Sequence, residues 1–432
     1  MHYGTEGMEL RIPADATVLA GRNPPPLADG EAAVTAALSA PIGCPPLREM
    51  LTVGAKKPAS AAVTISDITR AVPNKQFLPA IMEVLNTAGI EDSRIVIIIG
   101  TGMHRPSSDA EREILVGGDV MSRVEVIDHH ADDPETLVTI SDDPPVRVCR
   151  RFMEADFRIV TGFIEPHFMA GFSGGRKGVC PAIVDLRTIR RFHGFGILAD
   201  PAADTGILQG NPCHEIALKV ARKVGVDFLF NVAITRDHQI AGIYCGDLEQ
   251  AHLAGCEQVA QWAAAGIDPD EPGFDLVITN GGGDPLDRTF YQVVKGMCGA
   301  LPAMAEHSTL LVVALCDEQV GSKAYTDLML RYDNDWRRFL VDIEANAHET
   351  RMDQWEFQVH TRVLERIGLE KLWFVSDGIP AETQRHIAVA PILGPGNAKA
   401  RAQRAIDEYL EAQPDARVAI IPEGPYTMLR RG

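Results

Sequence analysis

The sequence predicts an α/β protein of two domains, each built around a mainly parallel β-sheet. Three observations lead to this fold class. Short apolar, β-branched runs recur, each is followed by a turn and a segment of helical length, and an acidic Pro/Gly-bearing stretch interrupts the pattern near residue 270. Runs that are apolar throughout indicate strands buried on both faces, as in parallel sheets. Alternation of strands with helices indicates α/β architecture.

The strand and helix candidates follow one another in regular order. The clearest strands lie at residues 61–67, 94–102, 157–163, 274–283, 309–315, 372–378 and 418–424. The clearest helical segments lie at residues 75–88, 214–223, 249–265 and 396–412. The acidic segment IDPDEPG at residues 267–273 precedes a fresh strand and is typical of a linker. We therefore expect domains at residues 1–268 and 269–432.

Composition excludes several classes of protein. The 432 residues are 46% hydrophobic and 23% charged, which is ordinary for a globular chain. A formal net charge of −18 leaves no basic surface for phosphates, so we expect no nucleic-acid partner. The eight cysteines include no CxxC pair, which favours reduced thiols. The N-terminus does not resemble a signal peptide and the apolar runs are short, so we expect a cytoplasmic protein with no membrane partner.

Polar side chains follow four of the predicted strands directly. In open parallel sheets, ligands bind beyond the carboxyl ends of the strands. These strand ends supply Asp67, Thr69, Arg70, His104, His167, Ser173, Lys177, Gln292 and Lys295. A single histidine or arginine in such a loop is more often a surface or capping residue. Four strand ends that converge on one cleft predict an active site between the two domains.

The glycine-rich segment PHFMAGFSGGRKG at residues 166–178 matches neither common nucleotide motif. It lacks the P-loop pattern, because Lys177 is followed by Gly178, and no GxGxxG follows the first convincing strand. A glycine-lined turn can still hold a phosphate group through backbone N–H groups. The predicted phosphate contacts are Ser173, Gly174, Gly175 and Arg176.

Five motifs, in this order along the chain, resemble those of the lactate racemase family: SDITR, GTGMHRP, PHFMAGFSGGRKG, the FHG that contains His193, and DRTFYQVVK. The resemblance runs from about residue 60 to beyond residue 355. It implies a racemase or epimerase of a lactate-like, malate, aromatic or sugar-acid 2-hydroxy acid. It also implies a nickel-pincer nucleotide, pyridinium-3-thioamide-5-thiocarboxylic acid mononucleotide with Ni(II).

The resemblance assigns roles to the first domain, which would bind the cofactor and carry the catalytic groups. Lys177 matches the lysine that tethers the mononucleotide through a thioamide. His193 matches the histidine that completes nickel coordination beside two sulfurs and one carbon of the cofactor. His104 and His167 match the two general bases, and Asp67 and Thr69 lie beside the matching arginine.

The second domain would contribute substrate-binding residues. Gln292 and Lys295, with Arg70 of the first domain, match residues that hold the substrate carboxylate and nearby oxygen atoms. Trp355 in DQWEFQ matches an aromatic residue that lines the pocket. One departure from the family pattern is Arg176, where a smaller residue is usual; it is expected to add a phosphate contact.

The chemistry explains why such residues are needed together. The C–H bond beside an ionised carboxylate is very weakly acidic, so hydride transfer through a 2-keto acid avoids a carbanion. Two histidines suit proton exchange near neutral pH, one for each orientation of the hydroxyl group. No side chain accepts hydride, so a cofactor is required. Proteins that build the cofactor and insert nickel are the expected maturation partners.

Two alternatives remain open from the sequence. In one, Lys177 forms a Schiff base with a carbonyl substrate or pyridoxal phosphate in a lyase or isomerase. In the other, the protein binds the cofactor or an acid without catalysis. The first leaves His193 without a role, and the second leaves the paired histidines His104 and His167 without one.

Overall fold

Two six-stranded β-sheets organise the chain, and the computed structural model describes residues 1–54 and 57–431. The strands are β1 (Thr17–Val18), β2 (Ala61–Ser66), β3 (Ile95–Gly100), β4 (Glu125–Asp128), β5 (Leu137–Asp142), β6 (Pro145–Cys149), β7 (Phe157–Phe163), β8 (Pro166–His167), β9 (Gly171–Phe172), β10 (Phe228–Ile234), β11 (Ile240–Gly246), β12 (Ala264–Ile267), β13 (Phe274–Asn280), β14 (Met304–Val313), β15 (Leu372–Val375), β16 (Ala390–Pro391), β17 (Val418–Ile420) and β18 (Met428–Arg431).

The helices connect the strands and cover the sheets. They are α1 (Gly30–Ser39), α2 (Leu47–Thr52), α3 (Asn74–Thr87), α4 (Asp109–Val116), α5 (Gly118–Arg123), α6 (Arg150–Glu154), α7 (Leu186–Phe192), α8 (Phe195–Leu198), α9 (Pro212–Val224), α10 (Leu248–Ala263), α11 (Phe290–Gly299), α12 (Lys323–Tyr332), α13 (Trp336–Ala345), α14 (Gln354–Ile367), α15 (Ala381–Gln384) and α16 (Ala398–Ala412). Among residues 1–54 and 57–431, none of these helices is both long and apolar enough to cross a lipid bilayer.

The first sheet has the strand order β11-β10-β7-β2-β3-β4. Its pairs are parallel except for β10 with β11. The apolar run of β3 shows why the sheet is buried on both sides. Ile97 and Ile99 pack into one hydrophobic core, whereas Val96 and Ile98 pack into another on the opposite face. A strand with two buried faces needs apolar residues at every position, as the sequence shows.

The second sheet has the order β1-β17-β13-β14-β15-β16, and all of its pairs are parallel. The prediction of an α/β protein with mainly parallel sheets is therefore confirmed. The four predicted helical segments correspond to α3, α9, α10 and α16. Local capping defines some of these ends: the Asn211 side chain accepts hydrogen bonds from the backbone N–H groups of Cys213 and His214 at the start of α9.

Strands near both ends of the described chain pair across the predicted domain boundary. Strand β1 pairs with β17, so the first residues belong to the second sheet. Strand β12, just before residue 268, pairs with β18 near the C-terminus. The predicted domain boundary between residues 268 and 269 stays a prediction.

Candidate active site

A cavity of about 180 Å³ lies where the carboxyl ends of β2, β3 and β7 meet helices α11 and α14. This is the edge of the sheet at which ligands bind in parallel α/β folds. Among the residues that line it are Asp67, Thr69, Arg70, His104, His167, Ser173, Gly174, Lys177, His193, Gln292, Lys295 and Trp355. The structure thus brings together all of the predicted site residues except Gly175 and Arg176.

His104 and Asp67 form a hydrogen-bonded pair at the mouth of the cavity. The parallel register places Ser66 beside Gly100, so the segments after β2 and β3 run side by side. His104 Nδ1 donates to Asp67 Oδ2 at 2.6 Å. Burial acts to raise the pKa of Asp67, but the hydrogen bond and charge of His104 outweigh it and the pKa lies below its usual value. The ionised carboxylate holds the proton on Nδ1, which leaves Nε2 free to accept a proton.

His167 shows the opposite arrangement. It lies in the β8–β9 hairpin, and its Nδ1 accepts hydrogen bonds from the backbone N–H groups of Met169 and Ala170, both at 3.3 Å. A neutral ring whose Nδ1 accepts carries its proton on Nε2. Burial, followed by the charges of Lys177 and Lys295, lowers the pKa of His167 well below its usual value. His167 is therefore neutral near pH 7 and presents an N–H group.

Lys177 lies on a short 3₁₀ turn that the glycine loop forms. Gly174 has a φ of 70°, and a Cβ there would lie 2.6 Å from Asn231 Oδ1, so only glycine fits. Burial, followed by the charges of Arg176, Arg70 and Lys295, lowers the pKa of Lys177 well below its usual value. A lowered pKa favours the neutral amine, which is the nucleophilic form of lysine.

His193 ends helix α7 and faces the same cavity. Its Nδ1 donates to the Ile189 carbonyl at 2.9 Å, which leaves the Nε2 lone pair available. Its ring stacks on Trp355 with centroids 4.6 Å apart, and Trp355 Nε1 donates to the Tyr291 hydroxyl at 2.8 Å. Burial lowers the pKa of His193 to about 3, so the ring is neutral. Within residues 1–54 and 57–431, no cluster of three or more His, Cys, Asp or Glu could hold a metal ion.

Arg70 and Lys295 make one side of the cavity cationic. Arg70 Nη1 donates to the Thr69 carbonyl and hydroxyl oxygens at 3.0 and 3.2 Å, which fixes the guanidinium. Lys295 Nζ lies 5.8 Å from the centroid of the Phe168 ring. Burial, followed by the charge of Arg70, lowers the pKa of Lys295 to about 8. Two cations in one partly enclosed wall favour an anionic ligand.

Arg176 and Gly175 are the two predicted site residues that do not line the cavity. Arg176 is 1% exposed, and its Nη2 donates to the Ala170 carbonyl at 2.7 Å. Its Nη1 lies 3.0 Å from His252 Nε2. The N–H of Gly175 donates to Asn231 Oδ1 at 2.7 Å. Both groups are used inside the protein and do not line the cavity, so this geometry does not support their predicted phosphate contacts.

Ser173 lines the cavity, but its hydroxyl is also committed to the fold. It donates to the Phe163 carbonyl and accepts from the Glu165 N–H, both at 2.9 Å. These bonds join the glycine loop to the end of β7. The structure therefore gives Ser173 a role in shaping the loop.

Sequence reasoning missed Glu356, which lies in the cavity wall on helix α14. The side chain is 1% exposed, and burial raises its pKa to about 8 despite the charge of Lys295. A signal was present, because Glu356 directly follows Trp355. A glutamate in a helix is usually solvent-exposed, but all positions from Gln354 to Thr361 are buried here.

A larger cavity of about 410 Å³ adjoins the first one on the other side of Arg70. The two cavities share Thr69, Arg70 and Phe163. The wall of the larger cavity includes an ion pair between Arg236 and Glu423, which links the end of β10 to the segment after β17. Arg70 therefore lines both cavities.

Known proteins resemble this chain over most of its length. The model of the lactate racemase N-terminal domain matches residues 3–206, and that of the lactate racemase C-terminal domain matches residues 270–428. The lactate racemase of Thermoanaerobacterium thermosaccharolyticum is 30% identical over 400 residues, which cover 92% of this chain and 90% of that protein. The lactate racemase of Lactiplantibacillus plantarum is 33% identical over 398 residues, which cover 90% and 89%.

Solved structures give the same result. The lactate racemase apoprotein from T. thermosaccharolyticum superposes with a TM-score of 0.87 at 28% identity, covering 100% of this chain and 99% of that one. A Thermotoga maritima protein superposes with a TM-score of 0.68 at 18% identity, covering 94% and 100%, and shows the fold alone. With two domain models and two relatives of this extent, the chain belongs to the lactate racemase family of isomerases.

Proposed function

We propose that the protein is a racemase or epimerase that inverts the hydroxyl-bearing carbon of a 2-hydroxy acid and uses a nickel-pincer nucleotide. One observation carries the proposal: a single cavity holds two histidines with opposite proton positions beside a cationic wall. Family membership implies a cofactor, and both relatives are named as lactate racemases.

The residues of the cavity fit such a cofactor. Lys177 offers a nucleophilic amine for a covalent tether, and His193 offers one neutral imidazole nitrogen. Imidazole suits Ni(II), and the remaining ligands would come from the bound group. When bound, the nucleotide would supply the hydride acceptor that no side chain provides. His193 is fixed for this role by its Nδ1 bond to Ile189.

The cationic wall would hold the substrate carboxylate. A guanidinium binds a carboxylate through two parallel N–H groups, and a nearby ammonium adds charge. Arg70 and Lys295 provide this pair, and Gln292 shares the helix face of Lys295. A carboxylate clamped in this way stays in place while the rest of the substrate changes orientation.

The two histidines would exchange the hydroxyl proton. His104 Nε2 accepts it, and Asp67 stabilises the resulting imidazolium. Loss of this proton from oxygen and of a hydride from Cα, which the bound nucleotide would accept, would leave a planar, achiral 2-keto acid. His167 Nε2–H lies in the same cavity and would donate a hydrogen bond to the oxygen atom in its other orientation. Return of the hydride to the opposite face and of the proton to the oxygen atom would give the other enantiomer, and the reverse reaction would use the same groups.

The decisive experiment is a stereochemical assay of the cofactor-loaded protein. Single enantiomers of lactate, malate, phenyllactate and sugar acids are incubated and analysed by chiral chromatography. We expect inversion of at least one acid, dependence on nickel, and a mass increment on the peptide that contains Lys177. Absence of inversion across the panel contradicts the proposed reaction. Borohydride trapping of Lys177 without nickel dependence supports a Schiff-base enzyme instead.

Maturation is part of the proposal. We propose that proteins which build the nucleotide and insert nickel act on this chain, because no side chain can supply either component. Protein produced without them should be inactive and lack the mass increment on the Lys177 peptide. Co-production should restore both.

A further inference from the structure

Glu356 is a buried carboxyl group for which the proposed reaction has no use. It lies on α14 directly after Trp355 and lines the reaction cavity. Its side chain is 1% exposed, and within the described ranges its Oε1 has no hydrogen-bond partner. An unpaired buried oxygen is costly, so an unpartnered carboxyl group on a residue that lines the cavity points to a ligand that bonds to it.

Lys295 does not provide Glu356 with a hydrogen-bond partner. In the described part of the chain, Lys295 forms neither a hydrogen bond nor an ion pair with it, although each changes the pKa of the other. Burial raises the pKa of Glu356 and lowers that of Lys295, so it favours the neutral form of each group. A ligand group that both donates and accepts hydrogen bonds fits either protonation state.

The candidate substrates share the carboxylate and the hydroxyl group on the reacting carbon, and they differ in the side chain attached to that carbon. The methyl group of lactate and the ring of an aromatic acid offer Glu356 no hydrogen bond. The second carboxylate of malate would place two acidic groups together in a buried wall. A hydroxyl group donates to a carboxylate and accepts from a carboxylic acid, so it satisfies Glu356 in both states.

We propose that Glu356 is a specificity-determining residue that bonds a second hydroxyl group of the substrate, and that the substrates are 2,3-dihydroxy acids and their longer polyhydroxy relatives. This inference rests on the proposed function, because it names the substrate class of the same site. Glycerate is the smallest such acid and differs from lactate by one hydroxyl group.

The test compares glycerate with lactate on the cofactor-loaded enzyme. We expect kcat/KM for glycerate to exceed that for lactate by about tenfold to a hundredfold, the effect of leaving a buried polar group unpaired. Calorimetric Kd values for the two acids should show a preference of the same sign. Equal values, or a preference for lactate, overturn the inference.

Substitutions assign the preference to Glu356. Glu356→Leu removes the polar group and should bring the glycerate-to-lactate ratio close to one, whereas Glu356→Gln should keep part of it. Glu365→Leu, at an exposed position of the same helix, is the matched control and should keep the full ratio. A ratio that Glu356→Leu leaves unchanged overturns the inference even if the enzyme racemises other 2-hydroxy acids. If no acid is inverted, the proposed function fails, and the Kd comparison still decides the role of Glu356.

Discussion

At the scale of single residues, the site depends on which ring nitrogen of each histidine carries a proton. His104 bonds a carboxylate and His167 bonds backbone N–H groups, so Nε2 carries a lone pair in His104 and a proton in His167. The assignment follows from chemistry, since a carboxylate only accepts and a backbone N–H only donates. The pair therefore offers the cavity one proton acceptor and one hydrogen-bond donor.

Asp67→Asn should disable His104 while leaving the fold intact. The asparagine amide can donate to Nδ1 and thereby hold the ring in the wrong tautomer. We expect kcat/KM to fall by about 100-fold, within the usual range for general acid–base catalysis. Steady-state racemisation measures the loss, and thermal unfolding checks the fold. Asp227→Asn is the control, because Asp227 accepts the N–H of Arg158 outside the cavity; an Asp67→Asn enzyme as active as this control would refute the role.

At the scale of secondary-structure elements, helix α11 is held close to β13 by a glycine. A Cβ on Gly296 would lie 2.0 Å from the Asn280 carbonyl oxygen, so no larger residue fits without moving the helix. Gln292 and Lys295 lie on this helix and line the cavity. The position of the cationic wall therefore depends on this close approach.

Gly296→Ala should weaken both substrate binding and stability. Overpacking at a close contact costs about 1–3 kcal/mol, and displacement of Lys295 should raise KM. Urea unfolding and steady-state kinetics measure the two effects. Gly299→Ala on the same helix is the control, since its Cβ would be 3.7 Å from the nearest atom, the Gly424 carbonyl oxygen. If Gly296→Ala resembles Gly299→Ala in both measurements, the close approach is unimportant.

The elements also show what sequence reasoning can and cannot predict. β2, β3 and β7 were predictable because strands buried on both faces are apolar throughout. β1 was not, because a two-residue strand has no local signal and its partner lies near residue 419. The burial of Glu356 was also hidden, since it depends on what packs around α14 and not on the helix itself. The direction of the Arg176 side chain was hidden for the same reason, because it depends on contacts with the β8–β9 hairpin and with α10.

At the scale of the whole molecule, buried histidines tie stability to pH. His129, His252 and His360 are buried, and burial lowers the pKa of each. Below the usual histidine pKa of about 6.5, the unfolded chain binds protons that the folded chain does not. The free energy of unfolding should therefore fall as the pH is lowered below about 6.5.

His360→Phe should reduce this pH dependence. His360 has a pKa of about 3 and contacts the rings of Phe290 and Phe357 in the core. Between pH 7 and pH 5.5, the wild-type protein should lose about 1 kcal/mol more unfolding free energy than the variant. Urea unfolding at the two pH values measures the difference. His348→Phe, at an exposed position, serves as the control. Equal pH dependence of stability in all three proteins would refute the role of His360.

The pairing of β1 with β17 sets an order of events during synthesis. Ribosomes add about 5–20 residues per second, and these strands lie about 400 residues apart. β1 thus leaves the ribosome roughly 20 to 80 seconds before its partner exists. Within that interval the first sheet can already assemble, whereas β1 has no strand with which to pair. β1, which is made long before β17, is therefore among the last strands to reach its place in the fold.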